Sequence, residues 1–177
     1  MKKILLVIAF VVVSATATFA QQLAYVDSEY ILKHVPEYTT AQKQLDDLSK
    51  QWQAEVDQKY TEIEKLYQAY QKDQVLLNED MRRRREDEIV TREKEVKDYQ
   101  KQKFGFEGEL FKRRLQLVKP IQDRVAKAIQ DVASAQNLDF IMDKGNESTF
   151  LYANPKLNKS NEVITKLGYK PNPSLAN

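Results

Sequence analysis

The sequence contains no cysteine and a single histidine, His34, among its 177 residues. Without cysteine the chain can form no disulfide bond, no thiolate metal site and no lipid anchor of the bacterial lipoprotein kind. A lone histidine before Pro36, with no second ligand near it in the sequence, also argues against a Ser-His-Asp triad or a histidine metal site. Acid–base chemistry by carboxylates alone remains open, and neighbouring acids occur at Asp46 and Asp47 and at residues 86–88. These acids are expected on polar helix surfaces, which argues against catalysis, so we predict that the protein is not an enzyme, has no catalytic or metal-binding residues, and needs no cofactor.

The chain also has little glycine and proline, with four and five residues respectively. Neither occurs between Glu37 and Phe104, and the absence of helix breakers over such a length favours helix. Within this segment, apolar residues recur at every third or fourth position, which is the spacing of one helix face. They are Leu45, Leu48, Trp52, Val56, Tyr60, Ile63, Leu66 and Tyr70. The spacing predicts a long helix that begins near Pro36.

The chain is expected to reverse direction near residues 77–80. A single helix over the whole breaker-free segment would be about 100 Å long at ~1.5 Å per residue, so a break is needed. Asn78 is a suitable N-cap, and the acidic residues Glu79 and Asp80 follow it in the first turn, where the helix dipole favours them. Residues 21–80 carry 6 basic and 12 acidic residues, and residues 81–130 carry 15 and 9. Segments of opposite net charge attract each other, so the sequence predicts an antiparallel helical hairpin.

The second helix of this hairpin changes character along its length. Of the 22 residues at positions 82–103, 15 are charged, whereas apolar residues are frequent from Phe104 onward. Gly105 and Gly108 weaken the helix, and Pro120 is expected to interrupt it, because proline removes one backbone hydrogen bond. We interpret Gly105, Gly108 and Pro120 as hinges, with a leg of the hairpin before Pro120 and a body segment after it.

The two ends of the chain supply short strands. Apolar runs at residues 23–26, 140–143 and 150–153 predict three strands, with a turn at residues 144–146 between the last two. A helix at residues 162–167 is expected to stop at Gly168. A sheet of two or three short strands is marginal by itself. This body is therefore expected to complete its core by association with copies of itself, in a number that the residues alone do not specify.

The first 20 residues have the features of a secretory signal peptide. Lys2 and Lys3 precede an apolar run at residues 4–13, and small residues lead to Ala20, after which we expect cleavage. The apolar run is too short to span a membrane as a helix. Removal of the two lysines leaves equal numbers of basic and acidic residues, so the net charge does not favour a nucleic-acid partner and none is expected.

Several short motifs follow one another around this charged hairpin. They are Leu23-Ala24-Tyr25-Val26-Asp27, Lys119-Pro120-Ile121-Gln122-Asp123, Asn137-Leu138-Asp139-Phe140-Ile141-Met142-Asp143, Phe150-Leu151-Tyr152-Ala153-Asn154-Pro155 and Val163-Ile164-Thr165-Lys166-Leu167-Gly168. No single motif is specific, but their order is. In this order the sequence resembles the Skp/OmpH family of periplasmic chaperones, in the form seen in Bacteroidota-type members, over the whole mature chain.

The resemblance implies a mainly α fold in which a long antiparallel helical hairpin, or tentacle, extends from a small β-barrel body completed by trimerisation. Residues 21–35 and 120–177 would form the β-rich trimerisation body, and residues 36–119 the tentacle. The implied function is that of a periplasmic homotrimer that encloses unfolded outer-membrane β-barrel proteins and prevents their aggregation without ATP. The alternatives are a structural coiled-coil scaffold of the cell envelope, and a protein that binds lipopolysaccharide or the membrane surface.

The candidate contacts for such unfolded clients are aromatic residues of the hairpin: Tyr60, Tyr67, Tyr70, Tyr99, Phe104, Phe106 and Phe111. The alternative, favoured by the hairpin's own need for a core, is that they pack between its two helices. Arg82, Arg83, Arg84 and Arg85 could bind the phosphates of anionic lipid or lipopolysaccharide. Acidic residues flank this run and cancel most of its field, which favours the alternative of a solvated helix face.

Overall fold

A computed structural model describes residues 22–145 and 150–175 of the chain. The predicted signal peptide and its cleavage site lie outside these residues. Within them the chain divides into two compact units. The body unit consists of residues 22–31, 128–145 and 150–171, and the hairpin unit consists of residues 32–127 and 172–175. In the parts of the chain that the structure describes, no helix combines the length and apolar character needed to cross a membrane.

The predicted helical hairpin is confirmed. Helix α1 (Ser28–Lys33) is followed by α2 (Pro36–Asp73), which begins at the expected proline. The chain then turns, and α3 (Glu79–Phe104) returns beside α2. The predicted cap is also present, since the backbone N–H of Met81 donates to the Asn78 side chain at 2.9 Å. Both ends of the turn therefore lie within a few residues of their expected positions.

The hairpin has a thin apolar core. Helix α2 contributes Val56, Ile63 and Tyr70, and α3 contributes Ile89 and Val96. Within each helix these buried residues are seven positions apart, a spacing that keeps them on the face turned to the other helix. Most other positions of α3 are charged and exposed, so this helix can bury little more. The core is as narrow as the composition of α3 requires.

The helix after the hairpin breaks at its glycines and continues through its proline. Helix α3 ends at Phe104, and α4 runs without interruption from Glu109 to Ala135 with Pro120 inside it. The expectation that Pro120 interrupts the helix is therefore wrong. The reason is that the buried stripe of α4 continues on both sides of the proline, and its packing outweighs the loss of one backbone hydrogen bond. The stripe consists of Val118, Ile121, Val125, Ala128 and Val132.

The body unit contains a two-stranded parallel sheet. Strand β1 (Leu23–Val26) pairs with β2 (Phe140–Asp143) in the register Leu23 to Phe140. On its other side β1 bonds to the chain near Asn158, because the Lys159 N–H donates to the Tyr25 carbonyl at 2.9 Å. The completely or almost completely buried side chains of this unit form its core: Ala24, Val26, Ile31, Ser160, Val163 and Ile164.

The third predicted strand, at residues 150–153, is not formed. This segment is irregular, and its Phe150 ring lies 6.5 Å from the ring of Tyr25 in the sheet. The place beside β1 is taken by residues 158–159 instead, since Asn154 and Pro155 start a 3₁₀ turn (Pro155–Leu157) that redirects the chain. Helix α5 (Ser160–Lys166) follows and ends before Gly168, as predicted, with the glycine at a φ of 90°.

Candidate functional site

The structure divides the seven candidate aromatic residues of the hairpin unit into two groups. Tyr60, Tyr67, Phe106 and Phe111 are exposed, and Phe106 is 96% exposed. Tyr70, Tyr99 and Phe104 are buried or half-buried and pack in or against the hairpin core. The aromatic residues that pair the two helices and those that face outward are thus different side chains.

Tyr70 and Tyr99 each donate a hydrogen bond from their hydroxyl group to a carboxylate on the opposite helix. The acceptor of Tyr70 is Glu86, and that of Tyr99 is Glu55. The bond to the carboxylate raises the pKa of Tyr99 to about 12 and raises the pKa of Tyr70 above its ordinary value. The same bond lowers the pKa of Glu55. These tyrosines therefore serve to hold the hairpin together.

Lys103 is a residue that sequence reasoning missed. Its ammonium group lies 4.8 Å from the ring centroid of Trp52 and 5.3 Å from that of Tyr99, close enough for cation–π attraction. It also pairs with Glu109 across the break between α3 and α4, at 2.7 Å, and thereby lowers the pKa of that carboxyl group. Phe104 completes the cluster with an edge-to-face contact to Trp52 at 6.3 Å. No sequence motif marks Lys103, because its partners lie on three different helices.

The break between α3 and α4 holds Phe106 out of the helix pair. A Cβ atom on Gly105 would lie 2.3 Å from the Lys101 carbonyl oxygen, and one on Gly108 would lie 2.8 Å from the Gly105 carbonyl oxygen. Between them Glu107 has a φ of 58°, in the left-handed region. The two glycines are thus required by the close approach of backbone atoms within the turn.

Phe106 stacks on Phe111 outside the turn, with ring centroids 6.4 Å apart and planes inclined by 22°. Leu115, one helical turn beyond Phe111, is also exposed. We call these three residues the aromatic patch. Leu115 was not among the candidates, although its position four residues after Phe111 places it on the same helix face.

The arginine run lies at the start of α3 and is largely neutralised by its neighbours. Glu79 pairs with Arg82 at 3.6 Å and with Arg83 at 3.7 Å, and Glu88 pairs with Arg85 at 3.5 Å. All of these side chains are at least one-third exposed. Apolar side chains that were not predicted as site residues are exposed in and beside the hairpin turn: Val75, Leu76 and Met81.

The body unit exposes large apolar side chains of its own. Leu23 and Phe140, which are paired in the sheet, are both exposed, as is Met142. Beside them a groove of about 280 Å³ is lined by β1, β2 and the segment after residue 150. Leu151 and Tyr152 of that segment are 97% and 81% exposed. Such a concentration of exposed apolar surface is typical of an interaction site.

No group of three or more acidic or histidine side chains that could hold a metal ion is found in residues 22–145 and 150–175. The one histidine is engaged within the hairpin unit, where its Nε2 atom accepts a hydrogen bond from the backbone N–H of Asn172 at 2.8 Å. His34 is buried there and contributes to the attachment of the C-terminal segment.

Comparison with known proteins identifies the family. Residues 22–167 match the profile of a family described as outer membrane protein (OmpH-like). A crystal structure from Caulobacter crescentus CB15, of a candidate outer membrane chaperone of the OmpH-like kind, superimposes with a TM-score of 0.65 at 14% identity. The match covers 84% of each chain, while a search of curated proteins found no match. The profile covers most of the sequence, and the predicted resemblance is confirmed: the chain belongs to the OmpH-like family.

Proposed function

We propose that this protein is an ATP-independent holdase chaperone of the periplasm. It encloses unfolded outer-membrane β-barrel proteins between helical hairpins and prevents their aggregation before membrane insertion. Membership of the OmpH-like family supports a chaperone role. The similar Caulobacter protein carries the description of an outer membrane chaperone, which favours this class of client.

The exposed aromatic patch is the observation that carries the proposal. Burial of a phenylalanine side chain stabilises a protein by roughly 1.5–3 kcal/mol, yet Phe106 is 96% exposed and held outward by the glycine turn. Unfolded outer-membrane strands present alternate apolar side chains and unpaired backbone groups that aggregate in water. A few exposed aromatic rings offer such segments weak contacts, so the client is held and can still leave.

Association into a homotrimer would multiply these contacts. The exposed apolar face of the body unit supports association, because a two-stranded sheet cannot bury Leu23, Phe140 and Met142 by itself. Three hairpins that each bind weakly retain a client with greater avidity than one. In this proposal the body residues 21–35 and 120–177 assemble the trimer and residues 36–119 form the tentacles.

A second candidate function is binding to a membrane surface or to lipopolysaccharide through the hairpin turn. Val75 and Leu76 are 92% and 85% exposed there, beside Arg82, Arg83, Arg84 and Arg85. Apolar side chains that enter the interface and basic groups that meet phosphates would act together. Flotation with anionic liposomes at 50 and 500 mM salt tests this role: the proposal requires flotation that is lost at high salt and in the double variant Val75→Ser/Leu76→Ser.

The holdase role is tested by dilution of a urea-unfolded β-barrel membrane protein into buffer with the mature protein. Light scattering should show that the wild type keeps the client in one discrete soluble complex. The double variant Phe106→Ser/Phe111→Ser should require several-fold more protein for the same suppression of aggregation. The matched control is Val75→Ser/Leu76→Ser, which removes two exposed apolar side chains from the hairpin turn and should behave as the wild type.

The outcomes separate the hypotheses. If the wild type forms an oligomer but the client precipitates, the holdase role is wrong and the envelope-scaffold alternative becomes the better one. If both double variants lose the same amount of activity, the hairpin binds through general hydrophobicity and the aromatic patch has no special role.

A further inference from the structure

The hairpin unit has a groove that neither the aromatic patch nor the core explains. It lies between α2 and α3 and has a volume of about 380 Å³. Its apolar floor consists of Ile63, Leu66 and Val96. Ile63 and Val96 are buried core residues, and Leu66 packs against them while remaining half-buried. The groove is therefore an opening into the hairpin core.

The composition of α3 explains why this position of the core is open. Val96 is the single apolar side chain that α3 contributes to the groove within the described residues. The preceding buried residue of α3, Ile89, lies two turns away, and the residues that line the groove between them are charged. Leu66 packs against the cluster that contains Ile89 and Val96, but the charged residues of α3 leave its outer side uncovered in the groove. An apolar side chain supplied from outside would complete the packing at this point.

The rim of the groove carries charges of both signs in equal number. Lys59, Lys65 and Arg92 are basic, and Glu62, Glu88 and Glu95 are acidic. This balance does not suit a polyanion such as a lipopolysaccharide core or a nucleic acid, which needs a basic surface. It suits a polypeptide backbone, whose N–H groups would donate to the carboxylates and whose carbonyl groups would accept from the basic side chains.

The present contacts of the rim leave it free to rearrange. Arg92 pairs with Glu95 at 3.1 Å, with both side chains more than half exposed. Glu62 accepts a hydrogen bond from Gln58 at 3.2 Å, also in an exposed position. Exposed pairs of this kind contribute roughly 0–1 kcal/mol. An incoming peptide can therefore exchange with them at little cost.

We propose that this groove binds a large apolar side chain of an extended, unfolded polypeptide, while the charged rim bonds to the flanking backbone. The volume is enough for one or two large side chains, and an extended chain presents side chains on one face about every 7 Å. The inference rests on the proposed holdase function and assigns it a second contact site, apart from the aromatic patch.

The absence of cysteine from the chain allows a site-specific test. A benzophenone photocrosslinker is attached to Lys65→Cys at the rim and, as a matched control, to Glu64→Cys. Glu64 is also exposed on α2, but it is not among the residues that line the groove and lies about 100° around the helix from Lys65. With a urea-unfolded β-barrel membrane protein as the probe, the yield of crosslinked client should be several-fold higher at position 65. Adding Leu66→Trp to Lys65→Cys should lower that yield several-fold, because the indole fills the groove from its floor.

Crosslinking tests the groove site, and suppression of light scattering tests the holdase role, so either measurement can be negative without the other. Equal crosslinking at positions 65 and 64, or no effect of Leu66→Trp in a protein with unchanged helicity by circular dichroism, would overturn the groove site even if the client stays soluble. Precipitation of the client together with selective crosslinking at position 65 would overturn the holdase role and leave the groove site standing. Precipitation without selective crosslinking would overturn both the holdase role and the groove site.

Discussion

Pairs of polar residues inside the hairpin set the relative position of its two helices. Tyr70 bonds to Glu86 near the hairpin turn, and Tyr99 bonds to Glu55 toward the other end of α3. A slip of one helix turn would separate both hydroxyl groups from their acceptors, and a half-buried polar group without a partner is unfavourable. With only five residues in the buried core cluster, apolar packing alone discriminates weakly between registers. The hydrogen bonds of the two tyrosines therefore distinguish the observed register of the helices from shifted ones.

The bond between Tyr99 and Glu55 should make hairpin stability depend on pH in a predictable way. The folded state raises the pKa of Tyr99 from 10.0 to about 12, so its contribution is complete below pH 10 and is lost as the pH rises toward 12. The folded state lowers the pKa of Glu55 below 4.5, so that contribution is complete above this value and is lost in acid. Stability from the pair is greatest between about pH 5 and pH 9.

Thermal unfolding of the wild type and of Tyr99→Phe, followed by circular dichroism across pH, measures this contribution. The wild type should have the higher Tm at neutral pH, and the difference should shrink at both extremes. Tyr67→Phe is the control, because Tyr67 is exposed on the same hairpin and should leave the Tm unchanged throughout. A Tm difference that does not vary with pH would contradict the assigned bond.

At the scale of the elements, the break between α3 and α4 is a built turn. The close approach of Gly105 and Gly108 to backbone oxygen atoms fixes its path, and the pair between Lys103 and Glu109 joins its two ends. Pro120, in contrast, lies inside a continuous helix whose buried stripe extends on both sides. The structure thus gives Gly105 and Gly108 a steric role in the turn. The proposed hinge motion at Gly105, Gly108 and Pro120 remains a prediction.

The double variant Gly105→Ala/Gly108→Ala should remove this turn. Alanine is favoured over glycine in a helix by about 1 kcal/mol per residue, and its Cβ atoms cannot fit the present backbone path. We expect α3 and α4 to become more continuous, with increased helicity by circular dichroism and a displaced aromatic patch. The range of client proteins kept soluble should narrow as a consequence.

Leu110→Ala is a suitable control, because it changes a half-buried residue of the same region without a change in the glycine turn. An unchanged client range in the glycine double variant, with increased helicity established, would count against hinging at this turn. Unchanged helicity would instead show that the turn tolerates Cβ atoms and that the steric role is wrong.

At the scale of the whole molecule, the body unit is incomplete as a single chain. Its sheet has two strands, and large apolar residues of both are exposed. Small sheets need further strands or a packed helix face for independent stability. In the proposed assembly, copies of the same chain would supply them, and the surface to be covered would include Leu23, Phe140, Met142 and the segment at residues 151–152.

The double variant Phe140→Asp/Met142→Asp should therefore dissociate the assembly. Carboxylates at these positions would be buried without partners in the interface, which is strongly unfavourable. Light scattering coupled to gel filtration should give the mass of a trimer for the wild type and of a monomer for the variant. Val90→Asp is the control, since Val90 is an exposed apolar residue of the hairpin and should leave the mass unchanged. A wild type that is itself a monomer would contradict the proposed assembly.

The sequence by itself determined the hairpin, because the information lies in neighbouring residues. Helix α2 begins at Pro36, Asn78 caps α3, and Gly168 ends α5. The periodic apolar stripe of α2 also identified most of its buried face, although Tyr60 within that stripe is exposed. Each of these features follows from local geometry, in which breakers, caps and the helical repeat act within a few positions.

Only the tertiary structure decided which aromatic residues are covered. Tyr60 and Tyr70 both belong to the periodic stripe, yet Tyr60 is exposed, whereas Tyr70 is buried in the hairpin core and bonds to Glu86, 16 residues away along the chain. Lys103 was not predicted as a cluster residue for the same reason, since its partner Trp52 is distant in the sequence. Residues 158–159, which lie beside β1 where the third strand was expected, likewise could not be identified from the local sequence. Periodicity gives the direction of a side chain on its own helix, whereas burial depends on what the rest of the chain places in front of it.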